Sequence, residues 1–146
     1  MAVTRYLTEM NRTLDNYFRN KKNYGAIFIR LIIGFHLIYG VHDNVLHWDR
    51  MLEFENFLEA NGFPLPLTSA IVSVYAQLLC GILFIAGALV RVAAIIMIIN
   101  FCIAIAMVHM KDPYPQVFPA LTMLSGSLFL LFHGAGKLAI DRDRNS

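Results

Sequence analysis

The stretch RLIIGFHLIYGVHDNVLH, residues 30–47, starts as an apolar helix long enough to enter a bilayer, yet carries Arg30 and His36 within its apolar run and closes on His42, Asp43 and His47. Ionisable groups at membrane depth are costly and normally face protein or a water-filled cavity, so this span is expected to face the inside of a helical bundle. The rest of the chain must then supply its neighbours.

Composition agrees. With 58% hydrophobic and 15% charged residues and a mean hydropathy of +0.57 over 146 residues, the chain is too apolar for an ordinary soluble domain. A membrane-crossing helix needs about 20 predominantly apolar residues, and windows at residues 24–41, 68–90, 92–108 and 117–133 approach that length. The expected fold is an all-α integral membrane protein, a four-transmembrane-helix bundle. Gly87–Arg91 leaves hardly any loop, which makes the second and third spans an antiparallel hairpin, whereas Pro113 and Pro115 in MKDPYPQ are expected to keep helix out of the turn before the fourth.

The flanks add two amphipathic pieces. Residues 1–23 place Val3, Tyr6, Leu7, Met10, Leu14, Tyr17 and Phe18 near the helical repeat with Arg5, Arg12, Arg19, Lys21 and Lys22 between or after them, which suits a helix lying on an anionic membrane surface. No small-residue cleavage site follows a short apolar core there, so a removable signal peptide is not expected. Between spans one and two, HWDRMLEFENFLEANGFPLPL interleaves Trp48, Leu52, Phe54, Phe57 and Leu58 with Asp49, Glu53, Glu55 and Glu59, the pattern of a short interfacial helix acting as a lid. The domain organisation is then an amphipathic segment at 1–23, a membrane domain at 24–141 and a tail at 142–146. Basic residues concentrate in the N-terminal segment, at Arg91 and in the tail with Lys137, Arg142 and Arg144, against Arg50 and Lys111 on the other side. By the positive-inside rule both termini are expected in the cytoplasm.

Depth sorts the polar residues into three layers. His36, Gln77, Asn100, Thr122 and Ser125 fall near the middle, where polar groups in lipid are expected to point inward and bond one another. His42, Asp43, His47 and His109 lie at the outer mouth and are weak candidates for a metal site, without an HExxH or CxxC motif to accompany them. Arg30 and Arg91 lie at the inner side, where Arg30 either snorkels to the headgroups or, with Arg91, binds an anionic headgroup or a quinone carbonyl. Cys80 and Cys102 read as buried apolar fillers. A stripe of small residues, Ala70, Ser73, Gly81 and Ala88 on span two with Ala93 and Ala104 on span three, allows close helix packing.

Four segments in order, RLIIGFHLIYG, FLEANGFPLPL, QLLCGILFIAGALVRVAAI and HGAGKLAID, resemble the DoxX family of small bacterial four-helix membrane proteins over roughly residues 24–141. The matching positions are Arg30, Gly34, Gly40, Gly62, Pro64, Gly81, Gly87, Arg91, His109, Gly134, Gly136 and Asp141. The resemblance implies a bundle in the bacterial inner membrane, among relatives that include a subunit of thiosulfate:quinone oxidoreductase and proteins of complexes handling thiol and oxidative stress. The chain departs from the family pattern at Gln77, where many relatives carry an acid, and at GVHDNV, where many carry a lysine after the glycine.

Three functions fit these features. The first is a quinone-linked membrane subunit in which His36, Gln77 and Asn100, with Arg30 and Arg91, hold a quinone and a redox partner protein supplies electrons, since the chain has no cofactor motif of its own. The second is a binding or transport module for a small apolar or lipid-like molecule, and the third a structural anchor for a partner protein. The lipid bilayer is the expected surrounding, and a homo-oligomer stays open. A nucleic-acid role has no support because topology accounts for the basic residues, and hydrolysis lacks a positioned nucleophile.

Overall fold

The computed structural model describes residues 2–141. Helix α1 (Ala2–Phe18) leads through a 3-10 turn at Arg19–Tyr24 into the first span, α2 (Gly25–Leu46). The lid helix α3 (Trp48–Ala60) follows, then α4 (Pro66–Ala86), α5 (Val90–Met107), a short 3-10 turn at His109–Lys111, and α6 (Tyr114–His133). Helices α2, α4, α5 and α6 are long and apolar enough to cross a membrane. The protein is therefore a four-span helical membrane protein whose outer faces contact lipid. The charged tail, with Arg142 and Arg144, lies outside the described residues.

Each span packs against its chain neighbours, and α2 against α6 closes the ring. The inward stripe of α2 is Ala26, Arg30, Ile33, Gly34, Leu37 and Val41, a repeat of three and four residues that defines one face of a helix. It meets α4 at a crossing of two glycines. A Cβ built on Gly34 would come within 2.8 Å of the Gly81 carbonyl oxygen, and one on Gly81 within 2.9 Å of the Gly34 carbonyl oxygen. Glycine at both positions lets the two backbones touch, the packing that lipid favours where apolar burial between helices brings no advantage over acyl chains. The main core, built on Leu37, Phe84, Met97, Phe101 and Leu130, runs from this crossing to the end bearing the termini. A smaller core of Val41, Met51, Leu58, Ala70 and Val74 ties the lid to α2 and α4.

Proline placement corrects one expectation. Pro113 forms the N-cap of α6 and Pro115 lies in its first turn, so the helix begins three residues before the expected window instead of being excluded by the prolines. The first turn of a helix has no partner for its N–H groups, so proline costs nothing there. Pro66 opens α4 for the same reason.

The α4–α5 connection closes on Gly87, whose φ of 71° belongs to the left-handed region and whose N–H reaches the Leu83 carbonyl at 2.8 Å. Leu89 then precedes α5 without capping it. The cap comes from the far end of the chain: Asp141 Oδ2 accepts from the Val90 N–H at 3.0 Å, while the Asp141 N–H donates to the Gly87 carbonyl at 2.9 Å. Replacing Asp141 by Ala removes this cap and is expected to lower stability by about 1 kcal/mol, the usual cost of a lost N-cap. Thermal unfolding in detergent measures it, and an unchanged midpoint would show that α5 needs no cap.

Candidate functional site

At the lid end a partly open cleft of about 310 Å³ lies between α3, α4 and α5. Its walls are apolar and largely aromatic: Phe54, Phe57 and Leu58 from the lid, Phe63 from the following turn, Val72 from α4, Ile103, Ala104 and Val108 from the α5 side. Ser73 and Asn100 bring polar atoms to it, and His109 stands at its outer rim. Phe54 and Phe63 also pack against the small core of Met51 and Leu58, which holds the lid over α4 and so sets the phenylalanines at the cleft.

The polar groups form a directed chain. Gln77 Nε2 donates to Ser73 Oγ at 3.2 Å, and Ser73 Oγ in turn donates to Asn100 Oδ1 at 2.9 Å. Ser73 and Gln77 stand one turn apart on α4, so they share a face, and Asn100 meets them across the α4–α5 contact. At the rim His109 Nδ1 lies 2.8 Å from Asp112 Oδ2, with both side chains partly buried. Asn100 and His109 thus line the same cleft from its inner and outer ends, and Gln77 joins it through Ser73.

His36 is not part of it. The ring lies on the outer surface of α2, its Nδ1 against the Ile32 carbonyl at 3.1 Å and its face edge-on to Phe35. Thr122 and Ser125 likewise turn outward and bond carbonyls of their own helix, at Phe118 and Leu121. A central layer shared by all four spans is therefore replaced by one confined to α4 and α5. Cys102 is also exposed, while Cys80 is buried, and both are free thiols.

Arg30 neither snorkels nor opens toward a ligand. Its guanidinium is turned into the bundle, 2% exposed, and donates from Nε to Phe84 O at 2.8 Å, from NH1 to Ala135 O at 2.8 Å and from NH2 to Ile85 O at 3.1 Å. Phe84 and Ile85 belong to the last turn of α4, where carbonyls run short of helical partners and Phe84 O takes only the Gly87 N–H at 3.2 Å, and Ala135 follows the end of α6. The arginine fork satisfies two helix ends at once. Arg91 lies nearby on α5 with its Nε 3.3 Å from the Leu131 carbonyl, also at the end of α6. The two arginines thus hold helix ends together at the end of the bundle opposite the lid.

The outer histidines separate as well. His42 Nε2 lies 3.0 Å from Asp43 Oδ1 and the ring stacks on Tyr39, whereas His47 is the exposed cap residue between α2 and α3. Among the described residues no three His, Cys, Asp or Glu side chains come together as a metal site would need.

Sequence reasoning missed Ser73 as more than a packing residue, Asp112, and the three phenylalanines as walls. The spacing of Ser73 and Gln77, and of His109 and Asp112, could have paired them. The role of Phe54 and Phe57 depends on how the lid folds over α4, which no local pattern carries.

The DoxX family model matches residues 25–110, from the start of α2 to the rim of the cleft. Neither curated proteins nor solved structures contain a match.

Proposed function

From the premise that this chain belongs to the DoxX family, its match covering more than half of the sequence, we propose that it is a quinone-binding subunit of the bacterial inner membrane, with both termini in the cytoplasm. The lid-end cleft would take the quinone head, and electrons would pass between that head and a partner protein. One observation carries this reading: a cavity with aromatic walls that ends on the Ser73–Asn100 hydrogen-bond chain. A flat apolar ring with polar oxygens at its edge fits such walls, and the Asn100 amide nitrogen, left over once Oδ1 is engaged by Ser73, can donate to a ring carbonyl. At about 310 Å³ the cleft stands at the small end of ligand sites, which favours a single ring over a whole lipid. The acid-bearing outward side of the lid is the surface offered to a partner, and α1 would rest on the inner membrane surface.

The test is binding. Protein purified in native lipid is extracted and its quinones identified by mass spectrometry, and a short-chain quinone is titrated onto the protein in nanodiscs. Ala104→Trp, which fills the cleft, is expected to weaken that binding by at least tenfold while leaving the unfolding midpoint near that of the parent. Retention of a phospholipid in the cleft without any quinone would favour the lipid-binding module instead, and equal binding by Ala104→Trp would place the ligand elsewhere.

A further inference from the structure

The cleft is polarised, and resting on the quinone reading above we infer that it selects the reduced form: a ring that accepts a hydrogen bond at the Asn100 end and donates one at the His109 end, as a quinol does and a quinone cannot. The direction follows from the two sets of hydrogen bonds. Gln77 donates to the Ser73 oxygen, so the single hydroxyl hydrogen of Ser73 goes to Asn100 Oδ1, and Asn100 is left with its NH2 group to offer. The chain therefore ends on a donor. At the rim the order is opposite. An ionised Asp112 carboxylate can only accept, so the hydrogen between it and His109 sits on Nδ1, and in the neutral imidazole Nε2 is then a bare acceptor. His109 Nε2 makes no hydrogen bond among the described residues, and His109 lines the cleft.

Nine residues separate Asn100 from His109, roughly 13 Å of rise at about 1.5 Å per residue. A six-membered ring with opposed oxygens and a hydrogen bond of about 2.8 Å at each end bridges most of that span, with the two side chains supplying the remainder. A quinol hydroxyl accepts from Asn100 at one end, and the other donates to Nε2. A quinone carbonyl set against Nε2 brings two lone pairs together and leaves both without a hydrogen. Asp112 acts here as a positioning residue, because it fixes which nitrogen of His109 is bare.

The experiment compares a short-chain benzoquinone with its chemically reduced quinol, each titrated anaerobically onto the full chain in nanodiscs at mildly alkaline pH. The parent protein is expected to bind the quinol about tenfold more tightly, the difference one hydrogen bond makes. His109→Gln presents an amide that can turn either its oxygen or its nitrogen to the ligand, so both forms should bind and the preference should fall to within about twofold. Asp112→Leu frees the tautomer and should lower the preference in the same direction without touching the ligand. Unfolding midpoints near the parent's show that these variants are folded. Equal affinity of the two forms for the parent, or a preference that survives His109→Gln, overturns the polarity argument while leaving quinone binding intact. Absence of binding by either form overturns the quinone reading and this inference with it.

Discussion

Arg30→Met is expected to lower stability by about 3 kcal/mol or more, visible as a fall in the detergent unfolding midpoint on the order of 10 °C. The change keeps an apolar side chain of similar reach and removes three charge-assisted hydrogen bonds. It leaves the carbonyls of Ile85 and Ala135 without the donor Arg30 gave them, and that of Phe84 with only the Gly87 N–H at 3.2 Å, at a site closed to water. Two of those carbonyls belong to the end of α4 and the third to the chain after α6, so the loss reaches the ends of both helices. Arg30→Lys should recover less than half of it, because a single ammonium on a flexible stem cannot spread over three acceptors as the planar fork does. Gly87→Ala should produce a comparable loss by a different route. Its φ of 71° disfavours a side chain, and a Cβ there would lie 2.6 Å from Arg30 Cζ. Because both changes act on one clasp, the double variant should cost clearly less than the two single losses added together. A stable Arg30→Met protein that had lost quinone or headgroup binding would reverse this assignment and make Arg30 a ligand residue.

The four spans, the lid and the hairpin turn were legible in the sequence because they rest on length and composition, which burial in lipid constrains strongly. Which side of each helix faces inward was harder. Arg30 and His36 are six residues apart, about 120° around a helix at 3.6 residues per turn, so the rule that ionisable groups turn inward could not hold for both. The structure resolves the conflict through Gly34, which lies on the Arg30 side and meets Gly81. His36 then shares the outer face with Phe35 and Tyr39 and meets the Ile32 carbonyl of its own helix. Gln77 and Asn100 are joined through Ser73, which lies on the small-residue stripe that lets α4 and α5 approach closely. Their link to His109 was not legible, for the cleft exists only where the lid crosses α4.

The glycines of the spans should respond to Ala substitution in a graded order that tests the packing directly. Gly81→Ala is expected to destabilise by about 1–3 kcal/mol, the usual cost of overpacking, because its new methyl would meet the Gly34 carbonyl oxygen at 2.9 Å and the Ile38 side chain at 2.8 Å. The first of these is backbone and can yield only if α2 and α4 separate. Gly126→Ala should fall in between: the nearest atoms to its methyl belong to the Ile33 and Ile29 side chains, which can shift by rotamer changes. Gly40→Ala meets nothing within 4 Å and should be neutral or stabilising by up to about 1 kcal/mol, since alanine has the higher helix propensity. Enlarging Gly81 further, to Leu, should abolish the α2–α4 contact and with it the anchoring of the lid on those two helices, so ligand affinity at the cleft should fall together with stability. Equal effects at Gly81 and Gly40 would mean that backbone contact between the first two spans does not set the bundle, and the inward stripe of α2 would have to be redrawn.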